Sequence, residues 1–458
     1  MSRELLRNAY ERGERYLSEV DSQRVFPSDH DLKALSQFEE PFPEKGHDPN
    51  DILKQLDEVG SPATVASAGS RYFGFVVGGS LPVTVGANWM ATAWDQVASS
   101  QVTSPVADKI EKVTTQWLLD ILDLPEQSAV GFVTGATMAT FTALAAARHK
   151  ILKKHGWNVE EDGLFGAPEI KVVVSDEVHV TVLKALSMLG LGKKRVIKVA
   201  TDANGAIDIS KLPVLDDQTI VCTQAGNVNS GAFDPIDEIC NRAHAVDAWV
   251  HVDGAFGLWA RSSVSRAHLT KGIEKADSWA ADGHKWLNTP YDGGLIICRD
   301  DDALHGAMSV SAAYLKERDG ASQSYIPEFS KRARGIDIWA ALKFLGREGL
   351  DDLISGCCDL AQYFAKGLEA LGLNILNDVV LNQIVISWDS VEKTEALIET
   401  VQQDGTCWFG PTVWKGHNAF RLSVSSWKIT RQDINQSLKA IEDAMKKIEA
   451  ENKIEPAR

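Results

Sequence analysis

The chain has 458 residues, 44% hydrophobic and 24% charged, which is typical of a globular protein with two packed domains. Its 47 Lys and Arg residues against 63 Asp and Glu residues give a formal net charge of −16. A nucleic-acid partner requires a basic surface, so this balance argues against one.

The cysteine content and the lengths of the apolar runs indicate the cellular compartment of the protein. Six cysteines in so long a chain, none in a CxxC pair, predict reduced thiols in a cytoplasmic protein. The first residues are polar and charged, so we expect no signal peptide. No apolar run reaches the roughly 18 residues of a membrane span, so we expect no membrane partner.

The first 70 residues predict an N-terminal helical arm. Apolar residues recur at helical spacing between residues 5 and 20, and Pro49 suits the first turn of a second helix. The arm could pack on a partner subunit or on its own domain, and the sequence does not choose between these two arrangements.

Residues 71–310 predict a large α/β domain. Short, continuous apolar runs alternate with amphipathic helices, a pattern that indicates a mostly parallel sheet covered on both faces. Ligands of such sheets bind beyond the carboxyl ends of the strands. The seven predicted strands are residues 129–134, 170–175, 195–199, 219–223, 248–253, 278–281 and 294–298.

Residues 311–458 predict a mobile loop and a smaller C-terminal α+β domain. The stretch 316–335 is polar and reads as a long loop. Strand-like segments at 383–388 and 419–423 precede a final helix. Thr430 and Asp433 have the spacing of a cap for that helix.

A turn rich in small residues joins the first predicted strand to a helix. Gly135, Ala136 and Thr137 expose backbone N–H groups at a helix N-terminus, where a phosphate is favoured. An ordinary strand-to-helix turn is the alternative. Neither a nucleotide P-loop nor a GxGxxG dinucleotide motif occurs in the chain.

Three further residues lie at or just after the ends of predicted strands, and their side chains suit one kind of chemistry. His179 can lie over an aromatic cofactor, Asp253 can pair with a protonated pyridine nitrogen, and Lys285 can form a Schiff base. Each also has an ordinary structural explanation: a helix cap, a backbone contact or a surface lysine. No His or Cys spacing resembles a zinc site, so we predict no metal.

Four motifs carry a resemblance to a known family: residues 176–179, 226–234, 251–255 and 282–286, the last reading Asp-Gly-His-Lys-Trp. In this order and spacing they resemble the group II pyridoxal phosphate (PLP)-dependent amino-acid decarboxylases. That family, which includes aromatic amino-acid and glutamate decarboxylases, has the aspartate aminotransferase fold (fold type I). The similarity runs from about residue 70 to the C-terminus.

The resemblance implies roles for the matching residues. Lys285 forms the Schiff base with PLP, Asp253 keeps the ring nitrogen protonated, and His179 and Ala255 lie on the two faces of the ring. The residues implied to bind the phosphate are Ala136, Thr137 and His284, with Gly135 in the same turn. Asn227, which stands where many relatives have threonine, is implied at the ring edge.

The resemblance also implies the reaction, through an external aldimine and a quinonoid, with a loop tyrosine from the neighbouring subunit protonating Cα. Tyr325 falls in the corresponding loop, and Tyr314 is its rival. For substrate binding, Tyr72 and Phe73 match the family's aromatic segment, and Arg421 matches a carboxylate-facing arginine. Core packing and a structural salt bridge are the alternatives for these three residues.

We therefore expect a homodimeric PLP enzyme, with active sites at the subunit interface, that decarboxylates an L-amino acid to an amine and CO2. An aminotransferase, a carbon–carbon lyase of the aldolase type, and a catalytically silent PLP-binding homologue are the alternatives. Retention of Lys285, Asp253 and His179 together argues against the silent homologue, which needs none of this chemistry.

Overall fold

The computed structural model describes residues 2–310 and 321–454 of the chain. The described helices are α1 (Ser2–Glu19), α2 (Asp29–Ala34), α3 (Pro49–Gln55), α4 (Pro82–Trp94), α5 (Pro105–Ile121), α6 (Ala136–Lys154), α7 (Val159–Asp162), α8 (Val180–Met188), α9 (Ile236–His244), α10 (Asp301–Met308), α11 (Gly335–Ala370), α12 (Val391–Asp404) and α13 (Arg431–Ile454). The strands are β1 (Ala129–Val133), β2 (Lys171–Ser175), β3 (Ile197–Val199), β4 (Thr219–Gln224), β5 (Trp249–Asp253), β6 (Ser278–Asp282), β7 (Gly294–Cys298), β8 (Asn374–Ile375), β9 (Gln383–Ser387), β10 (Gly410–Trp414) and β11 (His417–Ser423).

Strands β1 to β7 form one sheet in the order β1-β7-β6-β5-β4-β2-β3. Only β7 runs antiparallel to its two neighbours, so the sheet is mostly parallel, as predicted. All seven predicted strands are confirmed, with ends shifted by no more than two residues. Every residue of β4, β5, β6 and β7 is buried, which explains why these strands read as continuous rather than alternating apolar runs.

The carboxyl ends of several strands lie together at one edge of this sheet. Val133 in β1 and Asp282 in β6 both pair with Gly294, the first residue of the reversed strand β7. Gln224 at the end of β4 pairs with Asp253 at the end of β5. Side chains that are distant in sequence therefore meet at this edge.

Helix α6 packs closely on the sheet because its buried side chains are mostly small. Ala139, Ala143 and Ala147 are fully buried, and alanine also has the highest helix propensity. Lys153 and Lys154 in its last turn complement the helix dipole. The amino end of α6 is thereby held at the sheet edge that carries the predicted site.

A second, four-stranded sheet has the order β10-β11-β9-β8. The predicted strands at 383–388 and 419–423 correspond to β9 and β11, whereas β8 and β10 were not predicted. The first of these has two residues, and the second begins with Gly410 and Pro411. The cap of α13 is confirmed, since Thr430 N–H donates to the Asp433 carboxylate (2.9 Å) and Asp433 N–H to Thr430 Oγ1 (3.3 Å).

The chain divides into two compact units. One comprises Met1–Gly79, Leu360–Leu376 and Ile384–Arg458, and the other comprises Ser80–Asp359 and Asn377–Gln383. This division differs from the predicted boundaries at residues 70 and 310, because the N-terminal segment bonds to the C-terminal part of its own chain. Val25 N–H donates to the Gly405 carbonyl (2.8 Å), and Arg24 donates to the Gln403 carbonyl (2.6 Å).

None of the helices in the described ranges has both the length and the apolar content needed to cross a bilayer.

Candidate active site

A cavity of about 360 Å³ lies at the sheet edge where the strand ends meet. This volume falls in the range of small-molecule sites, roughly 300–1,000 Å³. Its lining residues all belong to the second unit and are Thr134, Gly135, Ala136, Thr137, His179, Thr181, Gln224, Gly226, Val228, Asp253, Ala255, Phe256, Asp282, His284, Lys285 and Tyr291. The fold thus brings Lys285, Asp253, His179 and the 135–137 turn together.

One end of the cavity is built from backbone in close contact. A Cβ on Gly294 would lie 2.4 Å from the Cα of Gly135, and a Cβ on Gly135 would lie 3.2 Å from Cε1 of His284. Gly135 precedes the first turn of α6 and provides no side-chain cap to it. The helix N-terminus therefore faces the cavity, where the N–H of Thr137 and the positive end of the helix dipole favour a phosphate.

His284 is held by its own backbone surroundings. Its Nδ1 accepts a hydrogen bond from Gly293 N–H (3.1 Å), and burial lowers the pKa of the imidazole, which favours the neutral ring. With Nδ1 acting as acceptor, the proton of the neutral ring lies on Nε2. Nε2–H is then a donor suited to a phosphate oxygen at the amino end of α6.

Lys285 has an anionic neighbour that the sequence did not predict. Its Nζ lies 3.2 Å from Oδ2 of Asp282, whose side chain is 3% exposed. The other oxygen, Oδ1, accepts from Ala136 N–H at 2.6 Å. Asp282 lies inside the 282–286 motif, so the only signal in the sequence was its position three residues before the lysine.

Asp253 ends β5 and lies at the cavity wall. It is 7% exposed, and its Oδ1 accepts from Ala255 N–H at 3.3 Å. Within the described residues Oδ2 has no hydrogen-bond partner. A buried carboxylate with an open oxygen is costly without a positive partner, and a protonated ring nitrogen provides one.

His179 and Gln224 lie on the same wall. His179 precedes α8, and its Nδ1 lies 2.7 Å from Oγ1 of Thr181. Gln224, 4% exposed, was not predicted, although it is the last residue of β4 and pairs with Asp253. Its Nε2 is buried without a hydrogen-bond partner in the described part of the chain, as expected of a group that serves a bound ligand.

Asn227 is not among the residues that line the cavity; its neighbours Gly226 and Val228 are. The Asn227 side chain is 1% exposed, and its Oδ1 accepts from the N–H groups of Asn229 (2.9 Å) and Ser230 (3.2 Å). An amide engaged in this way holds a turn. The amide nitrogen Nδ2 is buried without a hydrogen-bond partner in the described part of the chain, so the predicted contact at the ring edge stays a prediction.

Tyr325 also lies away from the cavity of its own chain. Its carbonyl oxygen lies beside Gly131 in the middle of β1, and its hydroxyl donates to Asp301 (3.4 Å) at the start of α10. Because α10 follows the carboxyl end of the reversed strand β7, Asp301 lies at the opposite edge of the sheet. The rival, Tyr314, is outside the described residues.

The three predicted substrate-binding residues belong to the other unit. Phe73 is fully buried and packs edge-on against Phe364, with ring centroids 5.2 Å apart, which is the environment of a core residue. Tyr72 stacks on Trp408 at 5.0 Å. Burial lowers the pKa of the Arg421 guanidinium to about 10. The substrate-binding roles of Tyr72, Phe73 and Arg421 stay predictions.

The groups around the cavity suit PLP. A helix N-terminus and the Nε2–H of His284 match a phosphate, the open oxygen of Asp253 matches a protonated ring nitrogen, and the Lys285 amine matches an aldehyde. The unpartnered Nε2 of Gln224 adds a donor for a polar ring substituent. Asp282 and Tyr291 also line the cavity, and the sequence analysis did not predict either of them.

Comparisons with known proteins agree with this chemistry. The sequence model of the family described as "Pyridoxal-dependent decarboxylase conserved domain" matches residues 30–387. An aromatic-L-amino-acid decarboxylase of Bacillus atrophaeus is 26% identical over 430 residues, covering 89% of this chain and 87% of that protein. A tyrosine decarboxylase of Papaver somniferum is 28% identical, covering 86% and 83% of the two chains.

Among solved structures, that of Oryza sativa TDC with PLP and tryptamine superposes with a TM-score of 0.90. The superposition covers 98% of each chain at 21% sequence identity, which shows a shared fold. The predicted fold type I architecture is confirmed.

Proposed function

The chain belongs to the pyridoxal-dependent decarboxylase family and is a PLP-dependent amino-acid decarboxylase, and we propose that its substrate is an aromatic L-amino acid. One cavity that brings Lys285, Asp253 and His179 together at a sheet edge supports the decarboxylase chemistry, and the lack of arginine among its described lining residues carries the proposed substrate class. The products are then the corresponding aromatic amine and CO2.

When bound, PLP supplies an electron sink for the electron pair left on Cα as CO2 departs. Lys285 supplies the amine that holds the cofactor, and Asp253 supplies the negative charge that keeps the ring nitrogen protonated. The first turn of α6 and His284 hold the phosphate. His179 covers one face of the ring and excludes water from it.

Two observations bear on whether the substrate is aromatic or acidic. Relatives with 26% and 28% identity are named for aromatic amino acids and tyrosine, whereas another with 26% identity is named for acidic amino acids. In addition, no arginine is among the described residues that line the cavity, and its one lysine is the cofactor-binding Lys285. A second carboxylate on the substrate would therefore lack the bidentate partner that it prefers.

A homodimer is also part of the proposal. Helix α4 has large apolar side chains on its surface: Trp89, Met90 and Trp94 are 42%, 54% and 40% exposed. Exposed apolar side chains concentrated on one helix favour burial against a partner, and a second copy of this chain is the partner we propose.

The six cysteines are free and buried, which supports the cytoplasmic location that the sequence predicts.

The test combines cofactor binding with product analysis. Purified protein is expected to show the visible absorbance of lysine-bound PLP, and borohydride is expected to fix the label on Lys285. A panel of L-amino acids is then assayed for CO2 and amine. Release of a keto acid would indicate an aminotransferase and release of an aldehyde a lyase, whereas bound PLP without any product would indicate a silent homologue.

A lysine variant tests the assignment of the catalytic lysine. Lys285→Ala is expected to lose the visible band and CO2 release, whereas Lys193→Ala, at an exposed lysine after α8, is expected to match the wild type. Turnover by Lys285→Ala at the wild-type rate would overturn the assignment. Faster CO2 release from glutamate than from any aromatic amino acid would overturn the substrate class.

A further inference from the structure

The carboxyl group of Asp282 contacts two parts of the site at once. Oδ2 lies 3.2 Å from Nζ of Lys285, and Oδ1 accepts from the N–H of Ala136 at 2.6 Å. We propose that Asp282 is a positioning residue that holds Lys285 in its charged form and fixes it to the amino end of α6. The inference rests on the proposed function in taking Lys285 as the cofactor-binding lysine.

Asp282 is rigidly placed by its own backbone. Its N–H donates to the Ala255 carbonyl (2.8 Å), and its carbonyl accepts from the indole Nε1 of the fully buried Trp259 (2.9 Å). The carboxyl group thus extends from a fixed point at the end of β6. A fixed acceptor can set the position of a flexible lysine side chain, which otherwise has many rotamers.

Lys285 provides the positive charge that a carboxylate buried to this degree requires. His284 Nε2 lies 3.6 Å from Oδ1, but burial lowers the pKa of this imidazole and disfavours its charged form. The other titratable groups that line the cavity are Asp253, His179 and Tyr291. Among the described lining residues, Lys285 is therefore the counter-ion of Asp282.

The same carboxyl group couples the lysine to the phosphate end of the site. Ala136 is the first residue of α6, and its N–H is directed to Asp282. The N–H groups of Met138 and Ala139 donate to the Gly135 carbonyl (2.9 Å each), so that of Thr137 is the one left in this turn for a phosphate. The side chain of Asp282 therefore links Lys285 directly to the start of α6.

Asp282→Asn separates the two roles, because asparagine keeps an oxygen acceptor for Ala136 but loses the charge. In the full-length protein freed of PLP, Lys285 is trace-labelled with acetic anhydride across a pH series. Mass spectrometry of its peptide gives the labelling midpoint relative to exposed Lys193. We expect the midpoint to fall in Asp282→Asn, because the carboxylate that favours the charged amine is gone, so that labelling below the midpoint becomes severalfold faster.

Asp292→Asn is the matched control, because Asp292 pairs with Arg334 at 2.8 Å and lies in the neighbouring turn. Its labelling midpoint is expected to equal that of the wild type. Equal midpoints for wild type and Asp282→Asn would overturn the proposal, since a hydrogen-bond acceptor alone would then explain the residue. That result would leave the decarboxylase proposal intact, because the labelling uses no cofactor and no substrate.

A thermal double-mutant cycle tests the ion pair without labelling and applies even if one variant is unstable. We expect Lys285→Gln to lower the apparent Tm because it leaves a buried carboxylate without its counter-ion. Adding Asp282→Asn is expected to restore most of the loss. Additive losses in the double variant would contradict the pairing.

Discussion

The imidazole of His284 stacks on the ring of Tyr291, with centroids 4.2 Å apart and planes inclined by 28°. Both residues line the cavity, and His284 is the side chain proposed to contact the phosphate. Stacking on Tyr291 thus holds the plane of the His284 imidazole, while the hydrogen bond from Gly293 N–H holds the position of Nδ1. The orientation of Nε2 follows from these two contacts.

Removal of the Tyr291 ring is expected to weaken PLP binding. Stacking of this kind contributes about 0.5–1.5 kcal/mol, so Tyr291→Ala is expected to raise the Kd for PLP about three- to tenfold. Tyr291→Phe keeps the ring and is expected to bind PLP as the wild type does. Titration of PLP into each cofactor-free protein measures this, and equal Kd values for the alanine variant and the wild type would contradict it.

Gly294→Ala is expected to damage both stability and cofactor binding. Its Cβ would lie 2.4 Å from the Cα and 2.6 Å from the carbonyl carbon of Gly135, and backbone cannot rotate away. Overpacking of this kind costs about 1–3 kcal/mol or more. Gly356→Ala, in α11 with nothing within 4 Å of the added methyl, is the control and is expected to be neutral or slightly stabilising. Melting and PLP titration of both variants provide the comparison.

Tyr325→Phe is expected to retain decarboxylation within about threefold of the wild type. The hydroxyl bonds to Asp301 at the far edge of the sheet, and a partly exposed hydrogen bond contributes only about 0.5–1.5 kcal/mol. The family resemblance instead assigns Tyr325 as the proton donor of the neighbouring subunit. A fall in kcat of a hundredfold or more, with unchanged KM and Tm, would support that role and reject our expectation.

The ion pair of Lys331 and Glu111 is expected to be costly to break. Nζ lies 2.8 Å from Oε1, and the two side chains are 0% and 8% exposed. Lys331→Met leaves a buried carboxylate and is expected to destabilise by about 3–5 kcal/mol, whereas Lys331→Met with Glu111→Leu is expected to recover much of this loss. Urea melts of the single and double variants measure the difference. No recovery in the double variant would indicate that packing, rather than charge, dominates at this site.

His251 is expected to make the fold sensitive to acid. It is fully buried, its Nδ1 lies 3.0 Å from Oγ of Ser278, and burial lowers its pKa to about 3. Below the unfolded pKa of about 6.5, the His251 imidazole is protonated in the unfolded chain, whereas in the folded chain it stays neutral until about pH 3. Stability therefore falls with falling pH in this window, by at most about 1.4 kcal/mol per unit from this residue.

His251→Asn removes the titrating group and is expected to reduce the loss of Tm between pH 6.5 and pH 5, whatever its effect on Tm at neutral pH. His305→Asn, on α10 and outside the sheet, is the control and is expected to keep the wild-type slope. Identical slopes for wild type and His251→Asn would assign the acid sensitivity to other groups.

The strands of the large sheet could be predicted because a strand that is buried on both faces appears in the sequence as a continuous run of apolar residues. Strands β4 to β7 are buried along their whole length and read as unbroken apolar runs. Strands β8 and β10 were missed, because a two-residue strand has no period and Gly410 with Pro411 reads as a turn. The cap of α13 was found, since Thr430 and Asp433 are three residues apart.

The sequence motifs alone predicted the chemistry of the site, from a lysine and a histidine just after strands and an aspartate at the end of one. Which side chains lie beside these three residues depends on the tertiary structure. Ala136 and Asp282 are 146 residues apart and meet because β7 is inserted antiparallel between β1 and β6. Likewise, Asn227 turns into its own loop, and Tyr325 lies toward the opposite sheet edge. Such contacts depend on strand order and packing, which leave no short-range pattern in a single sequence.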